Sequence, residues 1–481
     1  MQFQFIDSAN IDANARKQIR SSVMMGRNVG KKRQRKQSAR PAKQRFLLPD
    51  IDVARRSSSG SCSSMSSSGA AGPEGNNTDG DNQVARILGS VGNEWSSVSF
   101  PRPMEPYMQK IITQFMQMTT TILYPKELCI PIADSHAVWF EYLQQDEAFF
   151  HCLLAMAQAH SDWLIGLKNP HQRESLRTLK YLGNTYRCVN ENLKQQKTPS
   201  DSTVAVVMSI TMHNNILRAP IGAEPHLNAL QRMVEMRGGI EQFEAPCRML
   251  LHKICRTDLE YSLQRGTRPR FYRDEFPYST LQSMKSWNAY CYQAFVTTTS
   301  SEIYDIEIQS VMRDLLCTSR FLDTKHNIRP QLEPFAFQEL LISVCYRLVC
   351  AHPLGEEPPS SVPENACQLG MLAVVTTILI RGNHAKVPYP LLSGLFKSAV
   401  ERLIARANTH QQFLLWCLFM GGISVWLEEE EGWLFPALRR CTSILKLDSW
   451  EAAKSVLADY PWIQYFHDAS GEKLWNDAVT E

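Results

Sequence analysis

No C-x-x-C pair occurs in the 481 residues, and the closest cysteines, Cys345 and Cys350, have four residues between them. A zinc cluster or zinc finger needs thiolates within a few residues of one another, so that one small loop carries several ligands to a single ion. That pattern is missing. The thirteen cysteines are odd in number and share no repeated spacing, which speaks against a disulfide framework in a chain of this size. Cys152, Cys247, Cys255 and Cys417 fall in helical patterns and read as small core residues. H-E-x-x-H, a Gly-rich phosphate loop and the G-x-S-x-G nucleophile elbow are missing too. His151 and His160 share a predicted helix, but nine residues apart they point to different faces. The acidic run Glu428 to Glu431, beside Trp426 and Trp433, reads as a solvated helix end. Carboxylates that work as an acid/base pair need environments that differ, and a contiguous exposed run supplies none. The expectation is no catalytic residue, no cofactor and no metal; the chain is not read as an enzyme.

Long apolar runs are also scarce. The longest, Phe413 to Leu427, has fifteen residues and contains Gly421-Gly422, and Leu369 to Ile380 is shorter. A bilayer span takes about 20 residues, so both read as buried core helices. The first twenty residues lack the apolar core of a secretory signal. A soluble, reduced, intracellular protein with no membrane partner is expected.

Acidic residues are absent between Arg16 and Arg45, where twelve basic residues fall. The net charge of +3 hides this asymmetry. Of 51 Lys+Arg and 48 Asp+Glu in the chain, residues 1–60 hold fourteen and four, leaving 37 and 44 in residues 61–481. A basic arm on a mildly acidic body points to a polyanionic or acidic partner for the arm. Residues 1–48 form this arm, with a short helix predicted from Asp12 (Ile19 and Val23 on one face) that Gly26 and Gly30 stop. Lys31, Lys32, Arg33, Arg35 and Lys36 match the short basic pattern read by import receptors, and Arg16-Lys17 offers a second cluster. Three readings of the arm stand: nuclear import, non-specific contact with DNA phosphates, and a solubilising tail. No aromatic falls between Phe5 and Phe46, which argues against stacking on single-stranded bases. Residues 49–83 hold nine Ser among positions 57–68, then GAAGPEGNNTDGDN, a composition expected to stay disordered as a linker. Within it Arg55-Arg56-Ser57-Ser58 resembles a basophilic-kinase site, with Ser57 and Ser58 as candidate phosphorylation sites.

Residues 84–481 differ: all ten Trp lie here, and the spacing is helical. Asp146 to Leu167 places Phe149, Phe150, Leu153, Leu154, Met156, Ala157, Trp163 and Leu164 three and four apart. Asn169-Pro170 is expected to open the next helix, continued by Leu176, Leu179, Leu182 and Val189. Asp201 or Ser202 caps TVAVVMSITMHNNIL, whose length favours a buried helix over a strand. Pro225 opens a helix stopped by Gly238-Gly239, and Pro246 one closed by Gly266. Further helices are predicted around 302–322, 334–351, 364–381, 390–408, 410–427 and 448–458. Period-two alternation and fixed-period repeats are missing. The fold class is all-α: one large helical domain over 84–481, preceded by the disordered basic arm and the Ser/Gly-rich linker.

This body resembles the fungal-specific transcription factor domain, the helical regulatory region of fungal zinc-cluster regulators. The resemblance rests on His226-Leu227-Asn228-Ala229-Leu230, Met233-Val234, Arg237-Gly238-Gly239-Ile240, Lys253-Ile254-Cys255-Arg256-Thr257-Asp258 and Gly266-Thr267-Arg268-Pro269-Arg270-Phe271. Phe149 through Leu154, and Trp416, Gly421-Gly422, Trp450, Trp462-Ile463 and Leu474-Trp475, extend it to roughly residues 100–480. It implies a regulator of transcription in the nucleus and carries no catalytic residues over. Family members that read specific DNA sites use six cysteines in a compact N-terminal cluster. Here the first cysteine is Cys62 and none are paired, so the resemblance is to a subgroup without the cluster. Its implied partners are an import receptor, other transcription proteins or a second copy of the chain, and DNA without sequence preference. The alternative on the same scaffold is a helical interaction protein that never touches DNA.

Overall fold

Local chemistry sets where the helices begin and end. Ser175, in an extended conformation, accepts the Thr178 amide on its hydroxyl and starts the helix Leu176–Gln195. Asn169-Pro170, expected to open this helix, lie outside the described residues, and Leu176 is an exposed first-turn residue rather than part of the apolar stripe. Ser200 Oγ takes the Thr203 amide at 3.2 Å, so Ser200, one residue before the expected Asp201 or Ser202, caps the helix Asp201–Ile216. Gly238 and Gly239, at φ +98° and +112°, stop the helix Ala223–Met236, and the Gly239 amide returns to the Val234 carbonyl at 3.0 Å. Gly266, at φ +72°, ends Arg248–Arg265 and packs so close to Gly355 that their backbones share a hydrogen bond of 2.9 Å.

The structure is a computed structural model, and it describes Trp95 and residues 98–130, 137–166, 175–216, 223–243, 247–272, 305–323, 331–379, 389–406 and 410–480. Two units are distinguished: Ile6–Val98, of which only Trp95 and Val98 are described, and Met1–Phe5 with Ser99–Glu481. The first half of the larger unit consists of α1 Pro106–Leu123, α2 Ala137–Gln145, α3 Glu147–Gly166, α4 Leu176–Gln195, α5 Asp201–Ile216, α6 Ala223–Met236 and α7 Arg248–Arg265. The second half consists of α8 Ile306–Asp323, α9 Pro334–Ala351, α10 Val362–Leu379, α11 Pro390–Ala405, α12 Gln411–Ser424, α13 Glu431–Leu445, α14 Trp450–Leu457 and α15 Gln464–Trp475. Among the described residues there is no strand, only an isolated bridge between Cys129 and Leu332. The fold is all-α. Four helices, α1, α2, α13 and α15, come in addition to those the periodicity predicts.

Helix α3 is the centre of the first half, packed against α1, α2, α4 and α5, while α5 pairs with α6. Helix α7 joins the halves, touching α5 on one side and α9 and α11 on the other. Its buried polar residues make that seam specific. Glu339 of α9 receives Arg248 and His252 Nε2, the latter at 3.1 Å. Burial would raise the Glu339 carboxyl, but these two partners hold it below the usual range. Asp258 takes the backbone amides of Arg270 and Phe271 at 2.8 and 2.9 Å and the Tyr346 hydroxyl at 3.2 Å, so one buried carboxylate pins the turn after α7 to α9. Its burial outweighs these bonds and pushes its pKa up to about 6. Arg347 of α9 meets Asp314 of α8 at 2.7 Å, both buried. Helix α9 is long and apolar enough to cross a membrane by length and composition, yet most of it is buried in the protein and these ion pairs run through it.

Helix α12 is apolar all round and is wrapped by α10, α11, α13, α14 and α15, as a fully buried helix must be. Aromatic rings lock it. Trp416 stacks on Phe413 and Tyr460 and donates to the Pro461 carbonyl, and Trp426 stacks on Phe396 and donates to Ser393. Gly370 and Gly421 exist to admit these rings: a Cβ on Gly421 would lie 2.3 Å from the Trp426 ring, and one on Gly370 2.7 Å from Trp416.

Candidate functional site

Five helices of the first half enclose a cleft of about 60 Å³. Each presents residues at helical spacing. Helix α1 contributes Phe115, Met116, Thr119, Thr120 and Leu123; α3 contributes Phe149, Cys152, Leu153 and Met156; α5 contributes Ser209 and Met212; α7 contributes Met249 and Lys253. Trp139 of α2 and Tyr124, which follows α1, complete the wall. Residues i, i+3, i+4 and i+7 share a face, so these sets line one space because each helix turns a single stripe toward it. The deep side is made of buried Trp139, Phe149, Cys152 and Met156, and the mouth of half-buried Phe115, Met116, Met212 and Met249. Thioether side chains are unbranched and polarisable, so a wall with four methionines adapts its shape to an occupant.

Among the described residues of this lining, Lys253 is the one charged side chain. Its ammonium sits 4.5 Å from the centre of the Trp139 ring, a cation–π contact. Among the described residues no carboxylate lies within ion-pair reach of it and no acceptor bonds it. Protein surrounds the side chain, which keeps part of its surface open to the cleft. Burial, and secondarily the charge of Arg256 one turn on, pull its pKa from 10.5 down to about 8. The neighbouring groups titrate far higher: burial raises Tyr124 and Cys152 each to about 12, with Ser209 bonded to the Cys152 thiol. At neutral pH the cleft therefore holds one net positive charge against apolar walls.

Two other cavities differ in kind. One of about 340 Å³ is lined by Arg102, Lys180, Arg187, Glu147 and His151. Glu147 receives Arg102 at 2.8 Å and Arg187 at 3.3 Å, an exposed ion network in which each partner is already engaged. Exposed pairs of this sort contribute at most about 1 kcal/mol. The other, of about 260 Å³, lies between α12 and α13 over Trp433, Cys441 and Ile444.

Arg16, Lys17, Lys31, Lys32, Arg33, Arg35 and Lys36, the short helix from Asp12, and Ser57 and Ser58 all lie outside the described residues. The two histidines of α3 do diverge: His151 faces Glu147 in the ion network, and His160 packs its ring 5.9 Å from Phe115. Glu428–Glu430 form a short 3₁₀ turn ahead of α13, and Glu430 bonds Lys397. Cys152, Cys255 and Cys417 are buried in helices, and Cys247 is buried at the N-cap of α7, one residue outside the helix. Among the described residues no three His, Cys, Asp or Glu side chains converge as metal ligands would. Along the chain Lys253 stands only within one of the segments that carry the resemblance. Its signal was a lone lysine in a helix otherwise buried at Leu250, Leu251, Ile254 and Cys255.

The segments that carried the resemblance acquire structural roles. Arg237 bonds Asp201 at 2.7 Å and the Pro199 carbonyl at 3.0 Å, tying the Gly-Gly stop to the start of α5. Arg270 reaches Asn228 on α6, and Asp258 holds the Gly266–Phe271 turn. No curated protein and no solved structure gives a match to the chain. The family model described as fungal specific transcription factor domain matches residues 102–316, from just before α1 into α8, and so contains the whole cleft. The aromatic core at 416–475 lies beyond that match. Residues 102–316 of the chain therefore match the fungal specific transcription factor domain, over just under half of its length.

Proposed function

We propose that this chain is a nuclear regulator of transcription that works without a zinc cluster of its own, through its helical body. The family match over 102–316 carries this reading, and the basic arm ahead of it supports it. The arm delivers the protein to the nucleus through an import receptor that reads Lys31, Lys32, Arg33, Arg35 and Lys36, with Arg16-Lys17 as a second cluster. Any contact of the arm with DNA is sequence-blind and steep in salt, because it comes from releasing counterions from phosphates. Selectivity for genes then comes from proteins bound to the body, other transcription proteins or a second copy of the chain. Phosphorylation at Ser57 or Ser58 would weaken the arm by adding about two negative charges beside Arg55-Arg56. The domain acts in regulation rather than catalysis.

The test is localisation and chromatin association of the tagged full chain, with and without Ala at Lys31, Lys32, Arg33, Arg35 and Lys36. Nuclear signal lost in the variant, and chromatin association lost on deleting residues 1–60, support the reading. Cytoplasmic signal in both proteins overturns it in favour of a helical interaction protein. A footprint on one DNA sequence with a specificity ratio above about 10³ overturns the sequence-blind contact.

A further inference from the structure

Lys253 is costly where it stands. An ammonium surrounded by protein, without a carboxylate or an acceptor among the described residues, forfeits hydration that a cation–π contact only partly replaces. A methionine or leucine would fill the same space at no such cost, and the adjoining positions of α7 are filled in that way. The spare charge is also not scattered on the surface. It sits on the wall of a cleft lined mainly by aromatic rings, thioethers and leucines, with the hydroxyls of Thr119, Thr120, Tyr124 and Ser209 among them.

We propose that this cleft binds a small organic acid, its single carboxylate paired with Lys253 and its apolar body held between Trp139 and the methionines of α1, α3, α5 and α7. The class follows from the count of charges and donors. One ammonium neutralises one anionic charge; a phosphate or a dicarboxylate would bring a second charge that no second cation among the described lining residues meets. A purely apolar molecule would bring the ammonium no partner. The volume near Lys253 takes a few heavy atoms, at about 10–15 Å³ for each water-sized occupant, so the head group sits deep and the body extends along the methionine-lined mouth. The five helices meet at this point, and α7 continues to α9 and α11, so an occupant bears on the joint between the two halves of the body.

The inference goes beyond the regulator reading and is tested apart from it. Full-length protein is titrated calorimetrically with octanoate, octanamide and octylammonium at pH 7, and the titration is repeated on Lys253→Met and Lys253→Arg after circular dichroism has shown each to be folded. Octanoate is expected to bind at least about tenfold more tightly than octanamide, the worth of one charge-assisted contact, and octylammonium not at all. Lys253→Met should remove the preference for the acid, and Lys253→Arg should keep part of it. Trp139→Phe should lose the fluorescence change that octanoate causes in the parent. Equal binding of acid and amide, octanoate binding unchanged in Lys253→Met, or no octanoate binding to the folded parent each overturn the proposal. Nuclear accumulation of Lys253→Met is expected to be unchanged, so a failure here is distinguishable from a failure of the arm.

Discussion

Replacing Lys253 by methionine should stabilise the protein at neutral pH, although it removes a group from the interior. The folded ammonium has a pKa of about 8 against 10.5 for a free lysine. At about 1.4 kcal/mol per pKa unit, the difference corresponds to about 3 kcal/mol of destabilisation when the group is charged. Because part of the side chain faces the open cleft, water screens some of this, and about 2 kcal/mol is the better expectation. Methionine has a similar length and no charge, so repacking should cost less than about 1.5 kcal/mol. The sign of the pH dependence follows from proton counts. Between pH 8 and 10.5 the unfolded chain keeps the Lys253 proton and the folded chain has lost it, so wild-type stability rises with pH there. The penalty is full below pH 8, and the advantage of the variant should fade as pH climbs toward 10.5. The groups facing Lys253 do not blur this window: Arg256 stays cationic, and Tyr124 and Cys152 titrate only near 12. Urea unfolding followed by circular dichroism at pH 7 and at pH 9.5 measures both numbers. A variant less stable than wild type at pH 7, or a gain equally large at pH 9.5, would refute the reasoning, since the ammonium would then have a partner.

Asp258→Ala should cost about 2–4 kcal/mol, because two backbone amides and the Tyr346 hydroxyl lose their shared acceptor; Asp258→Asn, which keeps a carbonyl there, should cost less than half of that in the same denaturation assay. Gly421→Ala should lower the melting temperature by the equivalent of at least about 1–3 kcal/mol, since its Cβ collides with buried Trp426. Gly394→Ala in α11, where nothing lies within 4 Å of a Cβ, should instead raise stability by about 0.5–1 kcal/mol. Deleting residues 1–83 should leave helical content and the melting temperature nearly unchanged while abolishing nuclear accumulation; loss of cooperative melting would show that the arm and linker belong to the folded body.

The helices legible in the sequence were those whose apolar stripe and caps agree locally. The stripe of α3, the Gly-Gly stop of α6, the Gly266 stop of α7 and the run of α12 are all of this kind, since spacing and turn chemistry act within a few residues. Helix α13 escaped because Pro436 stands inside it and reads as a break, yet packing on α12 holds the helix together. Helix α1 escaped because its later turns carry Thr119, Thr120 and Thr121, poor helix formers whose fit depends on neighbours across the cleft. The charged arm and its motifs were legible as composition, with no need of a fold. The cleft was not. Its lining runs from Phe115 to Lys253, and nothing along the chain says that five stripes meet. A lysine in sequence is a charge that water satisfies; only the packing of α1, α2, α3, α5 and α7 around Lys253 left that charge without an acid among the described residues, because pairing is a relation to groups in space rather than to neighbours along the chain.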